Sequence, residues 1–296
     1  MRTERANAKI NLYLDVVGRR ENGYHNIISI MQTVSVCDLV SVEFRPGLHT
    51  RISLSASGND RMPTDCRNLA WRAAELYLAK IGQSGEVSIS IEKHIPMAAG
   101  LAGGSSDAAA VLRAMNHLCG NRLSVEELCS LGAGLGADIP FCIIGGAALV
   151  SGIGEELKPI AEMPFCHTVV ACMGEGISTP WGYGKLDELH GNFAQSKAKD
   201  ARCDRLIDAM KKDGILDAAD CFYNIFEEVV PSVQPYVNRL KTTMLEKGAK
   251  VSMMSGSGPS VFGLFESQEA AVDAVETLKS MGAAAFLCHP AKAYKI

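Results

Sequence analysis

A glycine- and serine-rich segment is the strongest chemical signal in the sequence: residues 96–106 read PMAAGLAGGSS. It lies between a predicted strand over 87–95 and a predicted helix that runs to Cys119. A loop of this kind points free N–H groups and the positive end of the helix dipole at one spot, and its glycines let an anionic oxygen approach the backbone. Its two serines add hydroxyls for phosphate or for the ligand shell of a metal. We therefore favour a phosphate cradle over a plain tight turn.

The same segment fits none of three common motifs. It lacks the GK[ST] ending of a Walker A loop, and its glycine spacing differs from the GxGxxG of dinucleotide-binding oxidoreductases. It is not the GxSxG nucleophile elbow either, because Asp107 stands where the second glycine belongs. The segment therefore predicts a phosphate-binding loop of another class.

A second glycine-rich segment, GAGLGADIP at 132–140, contains a carboxylate at Asp138. Asp138 is expected near a helix end, where it could cap the helix or close a turn, the commoner role of an aspartate. It could also act as a base or electrostatic partner for a hydroxyl that attacks phosphorus. A third segment, MSGSGPS at 254–260, could be a hairpin loop, a brace for the first loop or a ligand contact. We predict that the three segments converge on one triphosphate.

Polar residues near the N-terminus form a weaker set. Lys9 and Asn11 lie two residues apart on a predicted strand, so both side chains project to one face. Such a pattern is also usual for a solvated strand edge. Tyr24 and His25 follow a glycine and place an aromatic ring and an imidazole beside a turn, which is a weak signal by itself.

The elements that must position these groups alternate irregularly along the chain. Alternation of apolar residues predicts strands, and apolar spacing of three and four residues predicts helices. The irregular order favours an α+β fold over a doubly wound sheet, with a boundary between two halves near 150–165. The predicted strands cover 10–17, 34–44, 87–95, 167–172, 251–254, 261–265 and 284–288, and the predicted helices cover 68–80, 108–119, 124–133, 235–247 and 268–281.

Length and composition fit two ordinary domains, since the chain has 296 residues, 47% hydrophobic and 21% charged. The net charge of −4 argues against broad binding of nucleic acid. No apolar run approaches the ~20 residues that span a bilayer, and the N-terminus lacks a signal-peptide pattern, so no membrane partner is expected. The ten cysteines are spread along the chain without a CxxC pair, which predicts reduced thiols and a cytoplasmic location.

Taken in order, these segments resemble the GHMP kinase superfamily over essentially the whole chain. The superfamily resemblance rests on PMAAGLAGGSSDAAA and MSGSGPSVFGLF. NAKINLYLDVVGRRENGYHNI and LGADIPFCI resemble a branch whose substrate carries a cytidine group. Two positions depart from the pattern: Ala102 stands where many members have glycine, and Asp107 stands where some have asparagine, which changes the local charge.

The resemblance implies a two-domain α+β protein that uses ATP to phosphorylate a hydroxyl of a small-molecule substrate. The first domain, 1–157, would be similar to the ribosomal-protein S5 fold, and the second, 158–296, to a ferredoxin-like layer, with the active site in the cleft between them. Lys9 and Asp138 would be the catalytic pair. Mg²⁺ is expected with ATP, and the sequence indicates no particular metal ligand.

Binding roles are implied in the same way. The implied ATP-binding residues are, for the adenine, Asn68, Leu69 and Lys93 and, for the phosphates, Pro96, Met97, Ala98, Ala99, Gly100, Leu101, Ala102, Gly103, Gly104, Ser105 and Ser106. The implied substrate-binding residues are Asn11, Tyr24, His25, Thr179 and Tyr183, with Tyr183 stacked on a cytosine opposite Tyr24.

Two alternatives stand beside a kinase with a cytidine substrate. Another GHMP kinase, with a homoserine, mevalonate or sugar substrate, would share the nucleotide loop and differ in the N-terminal segment. A binding or regulatory protein of the same fold would be expected to have lost Lys9 or Asp138, and both are present. The sequence is compatible with a monomer and with a homodimer.

Overall fold

A long antiparallel hairpin organises the first half of the chain. Strands β1 (Arg2–Arg19) and β2 (His25–Pro46) flank the turn-forming GRRENG sequence and contain the predicted strands over 10–17 and 34–44. The computed structural model describes residues 1–59, 61–193, 200–212 and 214–296. In these residues the hairpin is the centre of the larger of two sheets.

The first sheet extends the hairpin on both sides. It adds β3 (Arg51–Ser57), β4 (Gly85–Glu92), β5 (Ala147–Ser151) and β6 (Glu156–Pro159), and the later β8 (Tyr223–Asn224) pairs with β1. The main path is β3-β4-β2-β1-β8, while β5 pairs with β2 and β6 with β5. Alternate residues of β4 are buried, as its period-two pattern predicts, although the strand ends at Glu92 rather than at residue 95.

Four helices pack against this sheet around one apolar core: α1 (Leu69–Ile81), α2 (Gly103–Leu118), α3 (Val125–Ala133) and α4 (Ile139–Ile144). Asn68 caps α1 by accepting a hydrogen bond from the N–H of Ala70, and Ser124 with Glu127 forms a capping box at α3. The predicted starts of these two helices are therefore confirmed.

The second sheet is four-stranded and antiparallel, in the order β11-β7-β10-β9. Its strands are β7 (His167–Cys172), β9 (Val251–Met254), β10 (Val261–Phe265) and β11 (Ala284–Cys288), and they match the predicted ranges. The helices of this half are α5 (Thr179–His190), α6 (Ala201–Lys211), α7 (Val230–Val233), α8 (Tyr236–Glu246) and α9 (Gln268–Ser280). The order of strands and helices confirms the α+β class.

Some segments of the second half join the first sheet. β8 pairs with β1, and beyond β11 the chain returns to bridge Pro290 to Val34 and Ala293 to Gly145. β6 runs across the predicted division at residue 157, since it continues to Pro159 in the first sheet. Within the described ranges, every helix is too short or too polar to cross a bilayer.

Candidate active site

A cleft of about 950 Å³ is lined by both halves of the chain. The first half supplies β1, the 98–105 loop and the residues before α4, and the second half supplies α5 and the 256–257 loop. Most predicted site residues meet here. Those that line the cleft are Lys9, Asn11, Tyr24, His25, Leu69, Ala98, Ala99, Gly100, Ala102, Gly103, Gly104, Ser105, Asp138, Thr179 and Tyr183.

The start of α2 forms an anion-binding surface in this cleft. Ala102 is the N-cap residue, and its side chain makes no capping hydrogen bond. The first N–H groups of a helix have no acceptor within the helix. The first residues of α2, Gly103, Gly104 and Ser105, all line the cleft. Their backbone N–H groups are therefore left for a ligand at the positive end of the helix dipole.

The third glycine-rich segment, 254–260, braces this loop and also reaches the cleft. Ser255 donates a hydrogen bond from Oγ to the carbonyl of Gly100 at 3.1 Å, and the N–H of Ser260 donates to the carbonyl of Ala99 at 3.2 Å. Gly256 and its neighbour Ser257 line the cleft. The segment is thus the hairpin loop between β9 and β10 and also a brace for the first loop, two of the three roles that the sequence left open.

Lys9, Asn11 and Asp138 form a polar cluster on one side of the cleft. The Lys9 ammonium donates to Asn11 Oδ1 at 2.6 Å and lies 3.9 Å from Asp138 Oδ2. Lys9 is buried, whereas a third of the Asp138 side chain is exposed (33%). Asp138 is the N-cap residue of α4 but makes no capping hydrogen bond. Its carboxylate is therefore available to a ligand, beside the ammonium of Lys9.

Irregular strand pairing holds this cluster in place. The β1–β2 register shifts between Asn7 and Lys9 and again between Asn11 and Tyr13, so a short paired stretch lies between two irregularities. Such irregularities twist a strand and re-aim its side chains. The N–H of Lys9 also donates to the carbonyl of Leu101 at 3.1 Å, which ties β1 to the 98–105 loop.

The far end of the cleft is aromatic. The rings of His25 and Tyr183 stack with centroids 4.6 Å apart and 11° between their planes, and Tyr24 is largely exposed at the rim. Burial raises the pKa of Tyr183 to about 12, and the charge of Asp138 adds to the rise, so the phenol is neutral at physiological pH. Thr179 lies 2.9 Å from Ser257, Oγ1 to Oγ, which joins α5 to the third loop.

Sequence reasoning missed several residues of the site. Asp187 lines the cleft from α5 and lies 2.7 Å from His25, and Arg19 lines it from the end of β1. Asn224 is buried and donates to the carbonyls of Met254 and Gly256 at 2.8 and 2.9 Å, which positions the third loop. Arg19 lies within the quoted N-terminal segment but at a position to which the resemblance assigned no role. Asp187 and Asn224 lie in no recognisable motif, because each meets its partner only through the fold.

Some predicted ATP-binding residues do not line the cleft. The Lys93 ammonium is buried between the carboxylates of Asp38 and Asp107 instead of facing an adenine. The Ser106 hydroxyl is buried and donates to the carbonyl of Asn7 at 2.7 Å, so it is not exposed to a metal. The full set outside the lining is Asn68, Lys93, Pro96, Met97, Leu101 and Ser106.

The glycines of the second segment also differ from the prediction. Gly132 lies inside α3, where a Cβ would stand 2.6 Å from Ile139 Cγ2, so this glycine lets α3 approach α4 closely. Ala137 and Asp138 line the cleft, and the glycines at 132, 134 and 136 do not. All three glycine-rich segments were expected to converge on one triphosphate. Of the second segment, only the end with Asp138 lies in the cleft.

Comparison with protein families agrees with the fold and the cleft. The model for the GHMP kinases N terminal domain matches residues 68–146, and the model for the GHMP kinases C terminal domain matches residues 206–284. The chain is thus an ATP-dependent small-molecule kinase of the GHMP class.

Comparison with individual proteins narrows the class. The 4-diphosphocytidyl-2-C-methyl-D-erythritol kinase of Alkaliphilus metalliredigens is 43% identical over 93% of this chain and 91% of its own length. The protein of that name from Lachnospira eligens is 38% identical over 95% and 94%. A solved structure of 4-(cytidine 5'-diphospho)-2C-methyl-D-erythritol kinase superposes with a TM-score of 0.80 at 33% identity, over 98% of this chain and 99% of that one. The chain belongs to the 4-diphosphocytidyl-2-C-methyl-D-erythritol kinase family.

Proposed function

We propose that the chain transfers the γ-phosphoryl group of ATP to the 2-hydroxyl of 4-diphosphocytidyl-2-C-methyl-D-erythritol, giving ADP and the 2-phosphate, in non-mevalonate isoprenoid precursor biosynthesis. The observation that carries this proposal is the Lys9–Asn11–Asp138 cluster, which shares one cleft with the uncapped start of α2. The family relationship supports the choice of substrate over homoserine, mevalonate or a sugar.

The phosphates of ATP would bind the backbone of the 98–105 loop. The helix dipole and the free N–H groups of Gly103, Gly104 and Ser105 stabilise negative charge there. Phosphoryl transfer depends mainly on positioning and on stabilisation of charge, with little covalent help from the protein. A preformed backbone cradle supplies both, because it does not reorganise as charge develops.

The acceptor hydroxyl would bind between Lys9 and Asp138. Asp138 orients the hydroxyl and accepts its proton, either early or late in the transfer, because its carboxylate has no capping bond to break. The Lys9 Nζ lies 3.9 Å from Asp138 Oδ2, and its ammonium would stabilise negative charge on an attacking oxygen bound beside the two side chains. Asn11 holds the Lys9 ammonium in that position.

Mg²⁺ would accompany ATP at the border between the cradle and the catalytic cluster. The residues there fit a hard cation that keeps substrate phosphates and water in its shell, since Asp138 offers a carboxylate and Ser105 a hydroxyl. No cluster of three or more acidic, histidine or cysteine side chains suited to a metal occurs among the described residues. The ion would neutralise phosphate charge.

The cytidine group would bind at the aromatic end of the cleft. Its base would stack on the exposed ring of Tyr24 and lie beside His25 and Thr179. His25 already covers one face of Tyr183, so the expected stack of the base on Tyr183 would need the other face of that ring. We also propose that the protein acts in the cytoplasm. Six of its ten cysteines are buried and none is paired, which suits a reducing compartment.

A direct assay tests the proposed function. Purified protein is incubated with ATP, Mg²⁺ and one acceptor at a time: 4-diphosphocytidyl-2-C-methyl-D-erythritol, homoserine, mevalonate or galactose. We expect ADP release that depends on the first acceptor, with a new phosphomonoester signal in the ³¹P NMR spectrum of the product. The proposal would be contradicted by ADP release only with a different acceptor, or by no ADP release with any of the four acceptors.

A further inference from the structure

Asp187 lies in the cleft and is engaged through both carboxylate oxygens. Its Oδ1 is 2.7 Å from Nε2 of His25, and its Oδ2 is 3.4 Å from Nη1 of Arg19. Both the carboxylate and the imidazole are largely buried, with 13% and 6% of their side chains exposed. Hydrogen bonds to charged groups are worth more than neutral ones, and burial strengthens them. The pair is therefore a rigid part of the cleft wall.

The remaining surroundings of His25 also restrict its ring. Tyr183 stacks on one face at 4.6 Å, and Phe193 meets the ring edge-on at 5.9 Å. Tyr183 and Asp187 both belong to α5, one helical turn apart, so a single helix supplies the stacking partner and the hydrogen-bond partner. The orientation of His25 thus depends on α5, although the residue itself begins β2.

The carboxylate also determines where the imidazole holds a proton. A carboxylate can only accept, so the hydrogen of this contact is on Nε2 of His25. Among the described residues, Nδ1 makes no hydrogen bond, and it is the ring nitrogen left for a ligand. Without Asp187 the ring could rotate or exchange tautomers, and its polar edge would no longer be defined.

We propose that Asp187 is a positioning residue for recognition of the nucleobase: it holds His25 in one orientation and one tautomer, so that the pocket favours cytosine over uracil. The inference rests on the proposed function, since it assumes that the cytidine group binds beside His25. Cytosine and uracil exchange a donor for an acceptor at positions 3 and 4, so a fixed polar edge distinguishes them. A site whose polar groups are left unpaired by the wrong ligand rejects it strongly.

Calorimetric titration of the full-length protein with CDP, UDP and ATP tests the proposal. We expect Asp187→Ala to weaken CDP binding about tenfold or more, the loss expected for a hydrogen bond to a charged group, and to leave ATP binding within about twofold. The preference for CDP over UDP should fall as well. Asp187→Asn keeps an acceptor for Nε2–H and should retain CDP affinity within about threefold. Glu188→Gln, an exposed neighbour on the same helix, is the matched control.

A double-mutant cycle removes the ambiguity of a merely structural effect. In a His25→Ala background, Asp187→Ala should have no further effect on CDP affinity, because the group that it positions is gone. Spectra of ¹⁵N-labelled histidine should show a protonated Nε2 in the wild type and a mixture of tautomers in Asp187→Ala. Additive losses in the cycle, equal losses for CDP and ATP, or an Asp187→Asn variant as weak as Asp187→Ala would overturn the proposal. Wild-type protein that binds no CDP would instead contradict the proposed function.

Discussion

At the scale of single residues, the proposed chemistry depends on a carboxylate that makes no capping hydrogen bond. Asp138 stands at a helix N-terminus, the position where aspartate commonly caps, yet its side chain makes no capping bond. The buried ammonium of Lys9 lies 3.9 Å from its Oδ2. Of the two roles that the sequence left open for Asp138, the missing capping bond supports the contact with a ligand, which stays a prediction.

Replacing Asp138 should reduce turnover and spare nucleotide binding. Asp138→Ala and Asp138→Asn should lose about 10²–10⁴-fold in kcat, the usual contribution of general acid–base catalysis, with a modest change in the KM for ATP. Steady-state kinetics with the cytidine substrate measure both values. Asp208→Asn, an exposed surface aspartate, serves as the control. Near-normal turnover of the Asp138 variants would show that the assigned role is wrong.

At the scale of elements, the cradle is built by two loops whose backbones approach closely at Gly100. Gly100 has φ of +78°, and a Cβ there would stand 2.2 Å from the carbonyl oxygen of Ser255. Ala102 adopts φ of +57° at the N-cap of α2, a conformation that costs a non-glycine residue about 1–2 kcal/mol. The loop therefore keeps strain at the start of the helix that would bind phosphate.

A pair of glycine substitutions separates strain from crowding. Gly120→Ala changes a glycine with φ of +82° and no atom within 4 Å of the added Cβ, so it should cost about 1–2 kcal/mol of unfolding free energy. Gly100→Ala adds a backbone clash and should cost about 2–5 kcal/mol in all, with a raised KM for ATP. Urea unfolding and kinetics measure the two effects. Equal costs at the two positions would contradict the close approach of the loops.

A buried ion cluster ties α2 to the first sheet. Lys93 donates to Asp38 of β2 and, at 2.8 Å, to Asp107 of α2, while Asp107 Oδ1 is buried without a hydrogen-bond partner. Two carboxylates share one ammonium, and burial raises the pKa of Asp107 to about 7. The sequence resemblance placed Lys93 near the adenine. Its ammonium is instead held by this cluster.

The raised pKa predicts a pH-dependent stability. The folded state holds the Asp107 proton more tightly than the unfolded state, so this stabilisation is present below about pH 4 and is lost as the pH rises through about 7. As the pH rises from about 4 to about 7, the unfolding free energy of Asp107→Asn should increase by roughly 2–4 kcal/mol relative to that of the wild type, because an amide does not ionise. Urea unfolding at several pH values measures the difference. Parallel pH profiles for the two proteins would count against a protonated Asp107.

At the scale of the whole molecule, both halves complete the site. The 98–105 loop and the Lys9–Asn11–Asp138 cluster belong to the first half, whereas α5 and the 254–260 loop belong to the second. The 98–105 loop and the 254–260 loop hydrogen-bond to each other. Asn224 of β8, which pairs with β1, holds the 254–260 loop. A change at the contact between the halves should therefore alter the cradle as well as the packing.

The last residues of the chain support the strand that bears Lys9. The Tyr294 hydroxyl accepts from the N–H of Asn7 at 3.1 Å and lies 2.9 Å from the Asn7 side-chain carbonyl, while Arg113 stacks on its ring at 3.7 Å. Gly145 and Gly146 leave space for this segment, since a Cβ at either would crowd Tyr294 or Ala293. Tyr294→Phe should lower the unfolding free energy by about 1–3 kcal/mol, because a buried N–H loses its acceptor. Thermal melts compare it with Lys295→Ala, which should melt like the wild type; equal melting of both variants would contradict this role.

Local patterns in the sequence were sufficient for much of this molecule. The helix starts at Asn68 and Ser124 and the β4 alternation are confirmed, because caps and periodicity act over a few residues. The order of the four motifs indicated the GHMP kinase family, and the family models and relatives confirm it. The roles of the individual site residues stay predictions for the experiments above.

The sequence by itself therefore determined the fold class, the kinase family and the segments that surround the cleft. Only the tertiary structure decided which side chains face it. Lys93 and Ser106 turn inward to buried partners, and Asp187 reaches His25 across 162 positions of the chain. The physical reason is that a motif specifies backbone shape over a few residues. The partner of a buried charge or hydroxyl is chosen by whichever donor or acceptor the packing of distant elements brings within hydrogen-bond reach.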